Sequence, residues 1–169
     1  DGRGVDRILS HLWPRPNNVS ALELVRVTLE EEQSFKVMAA RYFRELDPLF
    51  IPDEAWHQRY FRHLATGSRA FLYWAVCEGQ RVGFVAFHVA EHPYRDLRIG
   101  WIDEFYVVPE LRRRGFGKAL AHLAIAEMKK QGVRRVDLDV LESNYGARQF
   151  WVSLGMQKVS ERYRLWVAS

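Results

Sequence analysis

Val107-Val108-Pro109-Glu110-Leu111-Arg112-Arg113-Arg114-Gly115-Phe116-Gly117-Lys118 joins the clearest strand pattern of the chain to its clearest helix pattern. Before it, Arg98–Val108 is rich in aromatic and β-branched residues and reads as a strand. After it, Gly115–Gln131 carries Phe116, Leu120, Leu123, Ala124 and Met128 on one helical face, with Gly132 to stop it. A helix N-terminus presents unpaired N–H groups and about half a positive charge. Glycines at 115 and 117 let the backbone approach an anion with no Cβ in the way. Arg112, Arg113, Arg114 and Lys118 add charge-assisted donors for phosphate oxygens. The spacing makes neither a Walker loop nor a complete dinucleotide fingerprint. It predicts a cradle for a compact anion such as a diphosphate.

Outward from this stretch the remaining elements follow from periodicity. Residues 1–20, with Pro14, Pro16, Asn17 and Asn18, read as an N-terminal arm; residues 21–169 read as one domain. Leu22–Val27 is a first strand. Helices follow over Glu30–Asp47 and from Pro52 to about Gly67, the second opened by proline and acids. Ala70–Cys77 and Val82–Val89 form a hairpin around Glu78-Gly79-Gln80-Arg81. Past the long helix come a strand at Arg135–Val140, a helix at Asn144–Leu154, and short strands at Met156–Val159 and Arg162–Val167. This order predicts an α/β (α+β) fold, with a mixed, mostly antiparallel sheet of about six or seven strands flanked by about four helices.

Composition narrows the partners. The chain has 169 residues, 48% of them hydrophobic, enough to bury a core. No apolar run reaches the ~20 residues of a membrane helix, so no membrane partner and a cytoplasmic location are expected. The net charge of +4 is concentrated around Arg112–Lys118, which suits a diphosphate better than a nucleic-acid track. No helix-turn-helix, RNP-type or zinc pattern is present. The single cysteine, Cys77, reads as a small hydrophobe within a strand. The six histidines show no ligand spacing beyond His88-x3-His92, which straddles a strand end, so no metal is expected.

The approach Val107-x-Pro109-Glu110 followed by Arg112-x-x-Gly115-x-Gly117 resembles the acyl-CoA loop of the GNAT superfamily of N-acetyltransferases. A second stretch, Asn144-Tyr145-Gly146-Ala147-Arg148-Gln149-Phe150-Trp151-Val152-Ser153-Leu154-Gly155-Met156, is similar to that family's downstream signature at Asn144, Ala147, Phe150 and Gly155. The resemblance covers roughly residues 22–167. It implies a V-shaped opening between the strands Arg98–Val108 and Arg135–Val140. There the pantetheine arm of acetyl-CoA would run along Phe105, Tyr106, Val107 and Val108. The pyrophosphate would meet amides from Arg113 to Lys118, and Asn144, Ala147, Phe150 and Trp151 would line the far side. The acceptor implied is the amine of a small molecule, with protein N-termini or lysines as the alternative. A homodimer is compatible with the family, and a CoA-binding sensor or a nucleic-acid module stands as the reading of another class.

Acetylating an amine needs a proton acceptor, because an alkyl ammonium of pKa ~10 is almost wholly charged at neutral pH. Asp103 and Glu104, in mid-strand before the loop, are the candidates. A regular strand sends adjacent side chains to opposite faces, whereas a bulge would send both to one. The expectation is Glu104 as base through water, with Asp103 as runner-up or as a binder of a cationic substrate. The plainer alternative is an ion pair of either acid with an arginine such as Arg98. The oxyanion would meet an N–H near Val107. Trp151 stands where the family often has a tyrosine to protonate the departing thiol, and indole has no such proton to give. Tyr145 is the substitute candidate, against its reading as an exposed residue at a helix start. Tyr42 and Tyr60 read as core at helical spacing, in a region that the family places over its acceptor.

Overall fold

The structure, a computed structural model, describes residues 16–51 and 53–167. Most of the expected N-terminal arm and the helix-opening Pro52 lie outside these residues. Among them are five strands: β1 Leu22–Arg26, β2 Ala70–Cys77, β3 Gln80–Glu91, β4 Arg98–Val107 and β5 Val133–Leu138. The helices are α1 Glu32–Leu46, α2 Glu54–Thr66, α3 Phe116–Lys130 and α4 Tyr145–Ser153. The chain divides into two units, Asp1–Asp139 and Val140–Ser169. The first holds the whole sheet.

The sheet runs β1-β2-β3-β4-β5, antiparallel throughout except for the parallel β4–β5 pair. The β2–β3 hairpin turns on Glu78 and Gly79, both at positive φ, the geometry that a two-residue loop needs to match strand twist. Continuous burial of Val82–Phe87 in β3 has a simple cause: the sheet is covered on both faces. On one face Leu72, Trp74, Phe84, Ala86 and Tyr106 pack with Phe35 and Ala39 of α1 and with Phe61 and Leu64 of α2. On the other lies α3, with Leu120, Ala121, Ala124 and Met128 buried. There β4 has Gly100, where an added Cβ would stand 2.7 Å from the Met128 sulfur, so the helix rests close on the strand.

α1 is led in by a capping box, in which the Thr28 amide donates to the Glu31 carboxylate at 2.9 Å. α2 ends under Arg26, whose guanidinium donates to the carbonyl of Ala70 at 3.0 Å and lies over the rings of Phe71 and Tyr73.

The expected count of six or seven strands is corrected to five. Met156–Val159 and Arg162–Val167 form no ladder among the described residues, and Val159, Tyr163, Leu165, Trp166 and Val167 are exposed. Their β-rich composition favours a pleated surface only where one face is buried, and here none is. The second unit is otherwise α4, begun by Asn144, whose side chain accepts from the Ala147 amide at 3.0 Å.

Candidate functional site

β4 carries the site. His88 of β3 stands opposite Trp101, Phe87 opposite Ile102 and Ala86 opposite Glu104, which leaves Asp103 as an extra residue in a bulge. Cross-strand partners share a face, so Glu104 sides with Ala86 and Phe84, under α1 and α2. The bulge lets Asp103 follow it: both carboxylates line one open cleft of about 710 Å³ with Tyr60 and His63 of α2, Arg69, and His88.

Two different environments hold these acids. The Tyr60 hydroxyl donates to Glu104 Oε1 at 2.6 Å, and the Tyr42 hydroxyl is a second donor. Burial lifts the Glu104 carboxyl above its ordinary value; the tyrosine hydroxyls pull it partly back, and Asp103 adds repulsion. Both tyrosines are pushed far up, by burial first and by the Glu104 charge second. Asp103 is also raised by burial, against the pull of His88, whose Nδ1 lies 2.8 Å from Oδ2 and 2.9 Å from Oδ1. The partner of Asp103 is thus a histidine, and Arg98 pairs instead with Glu91 at 3.0 Å.

The register with β5 runs to Ile102–Leu138, one residue before the bulge, and β4 itself runs on to Val107. The Val108 amide donates to the Val82 carbonyl at 2.9 Å. A 3-10 turn, Pro109–Leu111, leads to Gly115 at φ +88, which caps α3 without a side-chain hydrogen bond. The first carbonyl closure inside the helix is Gly115 to the Ala119 amide at 3.0 Å, so the amides of Phe116, Gly117 and Lys118 have no carbonyl of their own helix to meet.

The basic side chains of the loop divide into two kinds. Arg112 turns back on the protein: its Nε donates to the Val107 carbonyl at 2.8 Å, its terminal nitrogen pairs with Glu45 at 2.7 Å, and it lies over the Tyr106 ring. Burial, with the Glu45 charge, pushes the Tyr106 hydroxyl up to about 12. Arg114 bonds the Asn17 side chain. Arg113, held at φ +62, and Lys118 make no ion pair among the described residues. An anion at the start of α3 would therefore meet first-turn amides, Arg113 and Lys118, on a loop that Arg112 and Arg114 anchor. The donor set fits a diphosphate.

In the second unit Asn144 and Ala147 form the cap of α4. Tyr145 is exposed under the Arg148 guanidinium, and the rings of Phe150 and Trp151 meet edge to face at 4.8 Å. Cys77 is buried, with its thiol donating to the Asn18 carbonyl at 3.2 Å. No helix among the described residues is long and apolar enough to cross a membrane.

Sequence reasoning missed His63 and His88 as parts of the site, and it placed Tyr42 and Tyr60 over the acceptor region without their contact to Glu104. Helical spacing marks the tyrosines as core, and the spacing of His88 to His92 speaks only to a metal. The hairpin register was the available signal: it sets His88 beside Trp101, one pleat from the bulge.

Residues 33–156 match the family model described as Acetyltransferase (GNAT) family. An uncharacterized N-acetyltransferase of Methanocaldococcus jannaschii is 29% identical over 143 residues, 84% of this chain, and the match spans 63% of that protein's length. An aminoglycoside acetyltransferase from an uncultured soil metagenomic sample, solved with sisomicin, superposes with a TM-score of 0.69 at 19% identity, over 89% of this chain and 97% of its own. AAC(6')-Iy, solved with the bisubstrate analog CoA-S-monomethyl-acetylneamine, gives 0.68 at 18% identity, over 88% and 98%.

Proposed function

Because the chain belongs to the acetyltransferase (GNAT) family, we propose that it transfers the acetyl group of acetyl-CoA to a primary amine of a small molecule, by direct attack in a ternary complex. The observation that carries this reading is the run of β4 from a two-carboxylate cleft, past the end of its register with β5, toward a helix N-terminus that has no side-chain cap. One strand thereby sets an acceptor cleft and an anion cradle at a fixed separation. The two solved neighbours, one with sisomicin and one with a CoA conjugate of an amine, support a small amine as acceptor.

In this reading the amides of Phe116, Gly117 and Lys118, with Arg113, hold the pyrophosphate. The acetyl thioester supplies the electrophile. Glu104, lifted by burial and fixed by two tyrosine hydroxyls, takes the ammonium's proton through water, and Asp103 holds positive charge at the cleft. A thiol of pKa ~8.5 leaves as thiolate at pH 7 for only ~2 kcal/mol, so no tyrosine at the place of Trp151 is required.

The test is thiol release from acetyl-CoA against a panel of small amines, amino acids and peptides. Release with one or more small amines, and loss of CoA binding in a variant carrying Arg113→Ala and Lys118→Ala, is the expected result. CoA affinity unchanged in that variant, or release with peptides alone, overturns the reading.

A further inference from the structure

Acetylation of an alkyl ammonium discharges one proton per turnover: ammonium and thioester become amide, thiol and H⁺. That proton has to leave a cleft in which Glu104 is bonded by tyrosine hydroxyls. Resting on the acetyltransferase reading, we propose that His88, its ring held by Asp103, carries this proton from the cleft to solvent.

The geometry is specific to this register. His88 faces Trp101 across the β3–β4 ladder, and the two rings lie parallel within 5°, centroids 6.4 Å apart. The bulge then brings the Asp103 carboxylate onto Nδ1 with both oxygens. An ionised carboxylate only accepts, so Nδ1 bears the hydrogen and the neutral ring keeps its lone pair on Nε2. A carboxylate in that position fixes the tautomer and steadies the imidazolium when it forms. The His88 and Asp103 side chains are 40% and 30% exposed, so the pair touches both water and the cleft that Glu104 lines. The other titratable groups on that cleft are Tyr60, His63 and Arg69.

The step balances without a co-reactant. The proton that Glu104 has taken from the ammonium passes through water to Nε2. Glu104 returns to carboxylate, His88 becomes imidazolium, and the imidazolium loses the same proton to bulk water. Imidazole suits the task because it has two nitrogens: Nε2 can take a proton at the cleft while Nδ1 stays on Asp103.

The experiment uses the full chain, acetyl-CoA and an amine that the parent accepts. His88→Ala is expected to lower kcat at pH 7 by about tenfold or more, the lower end of what proton transfer contributes, with CoA affinity unchanged. Added imidazole should restore kcat several-fold in His88→Ala and leave the parent as it was. A purely structural role would give a loss that imidazole does not touch and that His88→Gln, which keeps a donor for Asp103, repairs. That pattern overturns the proposal, as does a His88→Ala protein with the parent's kcat and pH profile. A parent that binds CoA yet releases no thiol with any amine overturns the acetyltransferase reading, and this proposal with it.

Discussion

Glu104 is held in a state that costs stability at the pH where it would work. Burial raises its folded-state pKa above the unfolded value. Its contribution to stability is therefore full below the unfolded pKa and lost as pH rises through the folded one. Glu104→Gln keeps an oxygen for the Tyr60 hydroxyl and removes the charge. It should lower kcat/KM by about a hundredfold or more while leaving the urea midpoint at pH 8 equal to or above the parent's. At pH 4, where the parent is also neutral, the two midpoints should converge. His57 runs the other way. It is buried against the mutually touching rings of Phe35 and Phe61, with Nε2 unpartnered among the described residues, and burial lowers its pKa. A lowered imidazole pKa means that stability falls as pH drops through the unfolded value of ~6.5. His57→Phe should flatten the stability profile between pH 7 and 5 and add on the order of 1 kcal/mol at pH 5, read by urea denaturation. The two acids of the site were legible in the sequence because charge in mid-strand is conspicuous. The tyrosine hydroxyls were not, since an apolar stripe records a tyrosine's ring and hides its oxygen.

At the scale of elements, the strand and helix boundaries around the loop were read from the sequence to within a few residues. The bulge was anticipated only as a possibility of the fold. One extra residue in a ladder changes no composition and no period that a short window can register, yet it decides whether one acid or two reach the cleft. Gly115 is different: the sequence marks it as a place where backbone can approach an anion without a Cβ, but not as a left-handed position. The structure gives the reason for glycine there: φ is +88, while among the described residues an added Cβ would meet only Val19, at 3.9 Å. Space is available and backbone conformation is the constraint. Gly115→Ala should cost about 1 kcal/mol of stability. It should also weaken CoA binding about tenfold, measured by calorimetry, as the helix start tilts away from the anion.

At the scale of the molecule, a sheet covered on both faces was predictable from alternating strands and helices. The missing last strands were not, because β-rich residues promise only that a strand can form. What the whole fold adds is a connection between regions that the sequence keeps apart. Arg112 and Glu45 join the loop to α1 at 2.7 Å, and Arg41 and Glu110 join them again at 3.1 Å. Glu45→Gln should change stability by less than about 1 kcal/mol, as expected for a half-exposed pair. Its signature should lie in kinetics: CoA Kd and amine KM should move together, measured on the same preparation.

Tyr42 and Glu45 sit one turn apart on α1, the first reaching Glu104 and the second gripping Arg112. One turn of α1 thus touches both the acid of the cleft and the arginine that anchors the loop. Loading the nucleotide first would set the angle at which the amine's acid is presented, so initial-rate kinetics should obey a compulsory order with CoA leading.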